Sequence, residues 1–463
     1  MRIVFIMIDT LRFDHLRMGG AKRDYVPELD RFAADACAFD HHFISSFPTV
    51  PNREDISTGK YSFPHHGWGP FPQEETAAAE TLHDAGYLTQ LICDTPHLIG
   101  RGHGYHRGFD AYHWIRGNEC DTWLTKYNDP PPRQMPLEKT RVDEVYFGAH
   151  LGDLQLWNNP GIAHEEGTFV ARTARTASRW IEDNYKCEDF FLWVDTFELH
   201  EPYIPPAYLR ERYGDPKYKG PLMIYPRYGS ADVYSKAELA NMSALYAGEA
   251  TLVSKWVGHI LRKLEDVGVY DDTLVVVTSD HGTYNGEHNR AGKILCGGPK
   301  RNQFLPWPQF DEVNRTPLLI KTPGQKRGRR IGQLVQPVDL LPTWLDLCGI
   351  ETDRKLEGYS LTPLLAGGKV RWPRRQTYSS NSIRDRYPNF WTAINTAGWQ
   401  LHVGGDETEG PLLFDRRKDP GCVRNVARQN RQVVQRMGRE FLRFLDGCGT
   451  EAEKIARMRE KLD

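Results

Sequence analysis

The sequence predicts an α/β protein. A large mixed, mostly parallel sheet flanked by helices is expected over residues 1–370, followed by a small C-terminal α+β domain with an antiparallel sheet over 371–463. Three observations lead there. Continuous apolar runs of strand length alternate with amphipathic helical stretches, as in sheets covered on both faces. Four of those runs stop at an aspartate, at Asp9, Asp94, Asp195 and Asp280. Open α/β sheets bind ligands outside the carboxyl ends of their strands, so these four carboxylates are expected to form a metal-binding rim. From about Trp372 the pattern changes to four closely spaced strand-like pieces and a helix.

In order, residues 2–8 (Arg-Ile-Val-Phe-Ile-Met-Ile) form a buried-strand run that stops at Asp9-Thr10. A helical pattern runs from about Val26 to Cys37. Residues 76–86 read as a helix ended by Gly86, and 87–93 as the next strand. Residues 96–165 are rich in His, Trp, Gly and Pro, with Pro130-Pro131-Pro132 in the middle. A long irregular stretch in a compact domain reads as a lid or substrate loop. Helical pattern returns over 168–185, and 190–194 is a strand. Residues 237–267 make a long amphipathic helix with Leu245, Leu252, Trp256, Ile260 and Leu264 on one stripe. Strands are expected at 274–278 and 317–321, and a helix at 338–348. The C-terminal pieces are strands at 375–379, 391–395, 400–403 and 412–415, with a helix near 430–446.

The 463 residues suffice for one large domain and a smaller one. A net charge of −2 gives no general attraction to nucleic acid or an anionic membrane. The basic run Lys326-Arg327-Gly328-Arg329-Arg330 is short and reads as a solvated turn. Eight scattered cysteines without a C-x-x-C pair argue against a disulfide framework or zinc ribbon and fit a reducing compartment. The apolar run at residues 3–8 is too short for a signal or membrane segment, and no later segment approaches membrane length. The expected protein is cytoplasmic, with neither nucleic acid nor membrane as a partner; a homo-oligomer stays open.

The stretch Thr49-Val50-Pro51-Asn52-Arg53 carries the first chemical signal. Pro51 suits the first helical position, which puts Thr49 at or just before the cap. A helix start attracts anions, and Arg53, about one turn on, can point back to the same spot. Hydroxyl, helix start and guanidinium together suit a nucleophile facing an oxyanion. A cap beside a surface arginine is the plainer reading of the same residues. The second signal is Asp280-His281-Gly282, followed by Gly286, His288, Gly292 and Lys293. Asp and His at a strand end are metal ligands, and Asp9 adds a carboxylate. Lys293 is a candidate anion contact. The third is Asp195-Thr196-Phe197-Glu198-Leu199-His200-Glu201-Pro202, in which His200 is a candidate general acid.

Together these motifs resemble the sulfatase-like branch of the alkaline phosphatase superfamily. The family pattern C/S-x-P-S-R-x-x-L-x-T-G is in register with Thr49-Val50-Pro51-Asn52-Arg53-Glu54-Asp55-Ile56-Ser57-Thr58-Gly59. Its opening Asp-rich motif is similar to Asp9-Thr10-Leu11-Arg12-Phe13-Asp14. Its S-D-H/N-G, G-x-H and G-K elements match Ser279-Asp280-His281-Gly282, Gly286-Glu287-His288 and Gly292-Lys293. Leu199-His200-Glu201-Pro202, Gly108-Phe109-Asp110, Leu413-Phe414-Asp415 and Asp419-Pro420 match further landmarks, so the likeness spans nearly the whole chain. The resemblance implies a metal-dependent ester hydrolase. It implies one divalent ion, Mn²⁺ or Ca²⁺ before Zn²⁺, with Asp9, Thr10, Thr49, Asp280 and His281 as its candidate ligands. A second ion would need a set such as Asp195, His200 and His288, whose spacing fits the sulfatase loops better.

Three departures stand out. The cysteine that sulfatases oxidise to formylglycine is replaced by Thr49. Thr10 stands where a further metal-binding carboxylate is common. The family's G-K-W-H segment is matched by Asp94-Thr95-Pro96-His97, keeping the histidine and losing the lysine. Threonine cannot form the aldehyde whose hemiacetal collapse releases sulfate, so water must attack the central atom of the intermediate. That scheme resembles the phosphorus chemistry of the superfamily. The expectation is hydrolysis of a small anionic phosphate ester, phosphodiester or phosphonate ester through a covalent Thr49 intermediate. Arg53 and Lys293 would hold oxygens, His200 would protonate the leaving group and His97 would assist. The alternatives are a sulfuric ester hydrolase without formylglycine, a phosphoryl transferase, and a non-catalytic anion-binding relative.

Overall fold

The computed structural model describes residues 1–124, 139–141, 144–146, 149–159, 164–296, 304–383, 390–405 and 410–462. Pro130-Pro131-Pro132, with the middle of the expected 96–165 loop, lies outside them. The main elements in chain order are β1 (Arg2–Ile8), α1 (Pro27–Asp35), β2 (Cys37–His42), α2 (Thr49–Thr58), β3 (Leu88–Cys93), β4 (Ala111–Trp114), α3 (Phe169–Asn184), β5 (Phe190–Thr196), α4 (Lys236–Asp266) and β6 (Thr273–Ser279). They continue with β7 (Leu318–Lys321), β8 (Arg329–Val335), α5 (Leu340–Cys348), β9 (Thr377–Ser380), β10 (Trp391–Asn395), β11 (Trp399–Gly404), β12 (Leu412–Asp415), α6 (Arg431–Gly447) and α7 (Ala452–Leu462).

The large sheet has the order β8-β2-β7-β6-β1-β5-β3-β4. β1 runs parallel to both β5 and β6, and β3 runs parallel to β5 and β4. β7 is antiparallel to β6 and β2. The sheet is therefore mixed and mostly parallel, as the apolar runs require: Ile3 to Ile8 are buried completely, and strands apolar on both faces are stable only when both faces are covered. The chain divides into two compact units. The first comprises Met1–Ala38, Ala79–Phe304 and Pro317–Arg329, and the second Phe39–Ala78, Leu305–Thr316 and Arg330–Asp463.

In the first unit, α1, α3 and α4 place Leu29, Phe32, Ala174, Ile181, Leu252 and Ile260 in one core with Val4, Ile6 and Ile8. The 31-residue α4 opens on a complete capping box, with Ser235 accepting from the Glu238 amide and Glu238 accepting from the Ser235 amide. In the second unit, β9 to β12 form an antiparallel sheet in sequence order. Ile394, Leu401, Val403 and Leu413 pack there with Val434, Met437, Phe441 and Leu445 of α6 and Met458 and Leu462 of α7. No helix among the described residues is long and apolar enough to cross a membrane.

Four elements depart from the sequence reading. β2 follows the expected first helix directly, because Ala36 adopts extended backbone and ends α1. β4 lies within the stretch expected to be irregular and pairs with β3. The basic run at 326–330 leads into β8, whose buried residues Ile331, Leu334 and Val335 are interleaved with exposed ones. α7 adds a second C-terminal helix. β2, β8 and α7 have apolar residues at no more than half of their positions, and β4 is only four residues long, so their neighbours, not their own pattern, define them.

Candidate active site

Three buried side chains of the first unit meet beyond the carboxyl ends of β1 and β6. One ligand atom each of Asp9, Asp280 and His281 lies within 4.8 Å of the others, and all three side chains are fully buried. His281 Nε2 is 3.9 Å from Asp9 Oδ1 and 3.7 Å from Asp280 Oδ2. His281 Nδ1 lies 2.9 Å from the Gly282 carbonyl. Nδ1 is therefore assigned the proton, and the lone pair of Nε2 faces the carboxylates. Lys293 Nζ donates to that nitrogen at 3.1 Å. Burial pushes the His281 imidazole well below its ordinary range. A neutral imidazole with two carboxylates is the ligand set of a hard or borderline divalent ion, so these residues fit the ion that the sequence motifs imply.

Thr10 holds that cluster in shape. Its hydroxyl donates to Asp9 Oδ1 at 2.6 Å and its amide donates to Asp280 Oδ1 at 3.0 Å. Its φ of 63° lies in the left-handed region, where non-glycine residues cluster at functional sites. The Tyr246 hydroxyl donates to the Thr10 carbonyl at 2.7 Å. Arg12 extends the turn, reaching Glu287 Oε1 at 2.7 Å and Asp14 through two nitrogens. Gly292 is a glycine for a physical reason. Its φ is +84°, and a Cβ there would sit 2.0 Å from the Tyr228 ring, so the chain can enter Lys293 only this way.

The four strand-end aspartates do not form one rim. Asp94 accepts from the Phe197 amide at 2.5 Å and from the Thr173 and Thr196 hydroxyls. Asp195 accepts from the Thr95 hydroxyl at 2.6 Å and from Trp193 Nε1 at 3.1 Å. Both carboxylates tie strand ends and helices together, because buried carboxylates need donors whether or not an ion is near. His288 has a φ of 53° and its ring meets Tyr284. Among the described residues, Asp195, His200 and His288 form no metal-ligating group.

His200 is buried, stacks on Phe197 with ring centroids 4.2 Å apart, and has Nδ1 2.9 Å from the Glu201 carbonyl. Burial first, then the Lys293 charge, lowers its affinity for a proton, while Glu119 raises it. Glu119 Oε1 lies 4.0 Å from His200 Nδ1, and Glu119 Oε2 lies 2.9 Å from His97 Nε2. One carboxylate thus joins the two histidines singled out in the sequence. Glu201 is buried beside His200 and accepts from the Arg141 guanidinium and the Tyr228 hydroxyl. The sequence reading missed Glu119, Cys120, Arg141, Glu201 and Tyr228. Glu201 adjoins His200 in its motif and was within reach; the others sit where the sequence shows no period.

The second unit carries Thr49 and Arg53 on α2, whose ten residues are all buried. The helix starts two residues earlier than expected. Its first backbone bond runs from the Asn52 amide to the Pro48 carbonyl, 3.2 Å, and Pro48 is the cap. Thr49 is thus the first helical residue, and Pro51 the third, still within the turn whose N–H groups lack intrahelical partners. Arg53, fully buried, folds back one turn to donate to the Thr49 carbonyl at 3.0 Å. Asp55 anchors the chain on both sides of the helix, accepting from the Ser46 amide before it and the Ser62 amide after it at 2.8 Å each.

Comparison with known proteins fits this arrangement. A sulfatase family model matches residues 2–350. A second model, the C-terminal region of N-sulphoglucosamine sulphohydrolase, matches residues 307–445. A multifunctional alkaline phosphatase superfamily protein of Trinickia caryophylli is 26% identical, over 92% of this chain and 91% of its own. An arylsulfatase of Clostridium perfringens is 23% identical, over 96% and 94%. The crystal structure of a phosphonate monoester hydrolase of Agrobacterium radiobacter superposes with a TM-score of 0.74 at 23% identity, covering 96% of this chain and 95% of that one. The chain belongs to the sulfatase family of ester hydrolases.

Proposed function

We propose that the protein hydrolyses a small anionic phosphate ester, phosphodiester or phosphonate ester through a covalent ester on Thr49. The observation that carries this reading is Thr49 itself, which stands in register with the family residue that becomes an aldehyde. A hydroxyl cannot expel sulfate by hemiacetal collapse. A phosphoryl-threonine, by contrast, is released by attack of water on phosphorus. The phosphonate monoester hydrolase and the multifunctional superfamily protein among the relatives support the phosphorus reading.

Asp9, Asp280 and His281 would hold one divalent ion, Mn²⁺ or Ca²⁺ before Zn²⁺, with Thr10 and Thr49 as further candidate ligands. Such an ion supplies positive charge that acidifies a hydroxyl and stabilises an oxyanion. The Thr49 oxygen attacks the central atom in line. Arg53 and Lys293 hold the non-bridging oxygens, with fixed charge aimed where negative charge develops. His200 passes a proton to the leaving oxygen. Its burial keeps it neutral without substrate, and the substrate's negative charge, added to that of Glu119, favours the protonated form. His97 assists through the shared Glu119 carboxylate. The roles of Thr49 and Arg53 rest on the register of their motif. Among the described residues, seven cysteines form no disulfide, which supports placing the protein in the reducing cytoplasm.

A sulfuric ester hydrolase working without formylglycine is the second reading, supported by the arylsulfatase relatives. The discriminating experiment measures kcat/KM on an aryl sulfate, a phosphate monoester, a phosphodiester and a phosphonate monoester, each with Mn²⁺, Ca²⁺ and Zn²⁺. Phosphorus esters should be turned over and trap a phosphorylated Thr49 peptide. Turnover of the sulfate alone would overturn the proposal. No turnover of any ester with any metal would favour a non-catalytic anion-binding relative. Transfer to an added alcohol would identify a transferase.

A further inference from the structure

We infer that the first unit carries a second divalent-metal site, built from His97, Glu119 and Cys120 and suited to a borderline-soft ion of the zinc type. One ligand atom from each residue lies within 4.8 Å of the other two. His97 Nε2 is 2.9 Å from Glu119 Oε2, and Cys120 Sγ is 3.9 Å and 4.0 Å from the two ring nitrogens. Zinc bond lengths put tetrahedral N, O and S ligands about 3.3–3.7 Å apart, so these atoms need move by less than about 1 Å. Glu119 and Cys120 are buried and His97 is half-buried. Imidazole, carboxylate and thiolate are the donors that zinc accepts, with a position left for solvent. The catalytic group Asp9, Asp280 and His281 has no sulfur and suits a harder ion, so the two sites differ in the metal they select.

The surroundings hold the donors in place. His97 sits in the short turn just after β3, at Pro96–Ile99, and Phe197 lies against its ring. Its carbonyl accepts from His103 Nδ1. Across from it, the loop at 116–121 is pinned by Asp121, which accepts from the Gly117 amide at 2.7 Å and from Arg116 at 2.8 Å and 2.7 Å. Asn158 Nδ2 donates to the Asp121 carbonyl. Glu119 has a φ of 40°. This left-handed turn brings two successive side chains, Glu119 and Cys120, to the same imidazole, and backbone strain of that kind persists only where the surroundings enforce it. An ion there would clamp the loop to the end of β3, next to His200, whose Nδ1 lies 4.0 Å from Glu119 Oε1.

The test uses the metal-stripped full-length protein titrated with Co²⁺. A near-ultraviolet sulfur-to-cobalt charge-transfer band should appear in the wild type and vanish in Cys120→Ser. Glu119→Gln should move the titration midpoint by about tenfold or more, since even outer-shell partners are worth about 10–100-fold in metal affinity. Zn²⁺ should raise the thermal midpoint of the wild type more than that of Cys120→Ser. Absence of the band in the wild type, or a band that survives Cys120→Ser, overturns the site. Should Cys120→Ser fail to fold, an unchanged midpoint in Glu119→Gln overturns it equally. None of these readouts is turnover, so the site stands or falls apart from the Thr49 chemistry.

Discussion

A threonine hydroxyl is a poor nucleophile at neutral pH, and its activation must come from positive charge placed close by. On the proposed chemistry, Thr49→Ala should lower kcat by about 10³-fold or more, with the fold intact by circular dichroism. Lys293→Ala removes the ammonium that meets His281 Nε2 and should cost about 10²–10³-fold in kcat, the range for a single fixed donor to an oxyanion. Asp55 makes a stability prediction. Burial raises its carboxyl from 3.8 to about 7, against the lowering effect of its serine donors. A carboxyl raised in the folded state is protonated there at pH values where the unfolded chain has already ionised. Its stabilising contribution is thus present at low pH and is lost as pH rises from about 4 through 7. Urea unfolding of Asp55→Asn should show a shallower loss of stability across that window than the wild type.

Elements decide how precisely those residues are held. α4 begins on the Ser235–Glu238 capping box, and Ser235→Ala should cost about 1 kcal/mol in denaturant unfolding. Gly292 cannot carry a side chain without displacing Tyr228, whose hydroxyl holds Glu201. Gly292→Ala should therefore lower stability by about 1–3 kcal/mol for the strained backbone alone and lower kcat by misplacing Lys293. At this scale the sequence was legible wherever burial was two-sided. β1 coincides with the expected run at 2–8, and β5 and β6 extend the expected strands by one or two residues at an end. β2 and β8, whose apolar residues are interrupted by Asp40, His41 and His42 in one and by Arg329, Arg330 and Gln333 in the other, were not legible. The strand-end aspartates show the same limit. All four looked alike in the sequence, yet Asp9 and Asp280 converge on His281 while Asp94 and Asp195 bond to threonines and a tryptophan.

For the whole molecule, an ion held by Asp9, Asp280 and His281, as proposed, would link metal binding to folding. At about 100 times its dissociation constant a ligand stabilises the native state by about 2.7 kcal/mol. Chelation should lower the thermal midpoint of the wild type, and Asp280→Asn should abolish most of that metal-dependent shift. The family, the mixed sheet and the motifs bearing Thr49, His200, Asp280 and Lys293 could all be read from the sequence alone. The physical reason is that a buried strand needs a continuous apolar run, and a reacting group needs a particular side chain at a particular spacing. Only the tertiary structure decided which carboxylates share a site, that Thr10 braces Asp9 and Asp280, and that Glu119 stands between His97 and His200. Those are meetings of residues far apart in sequence, some brought by loops with no period, and they are set by how the strand ends and loops pack, which no local pattern encodes.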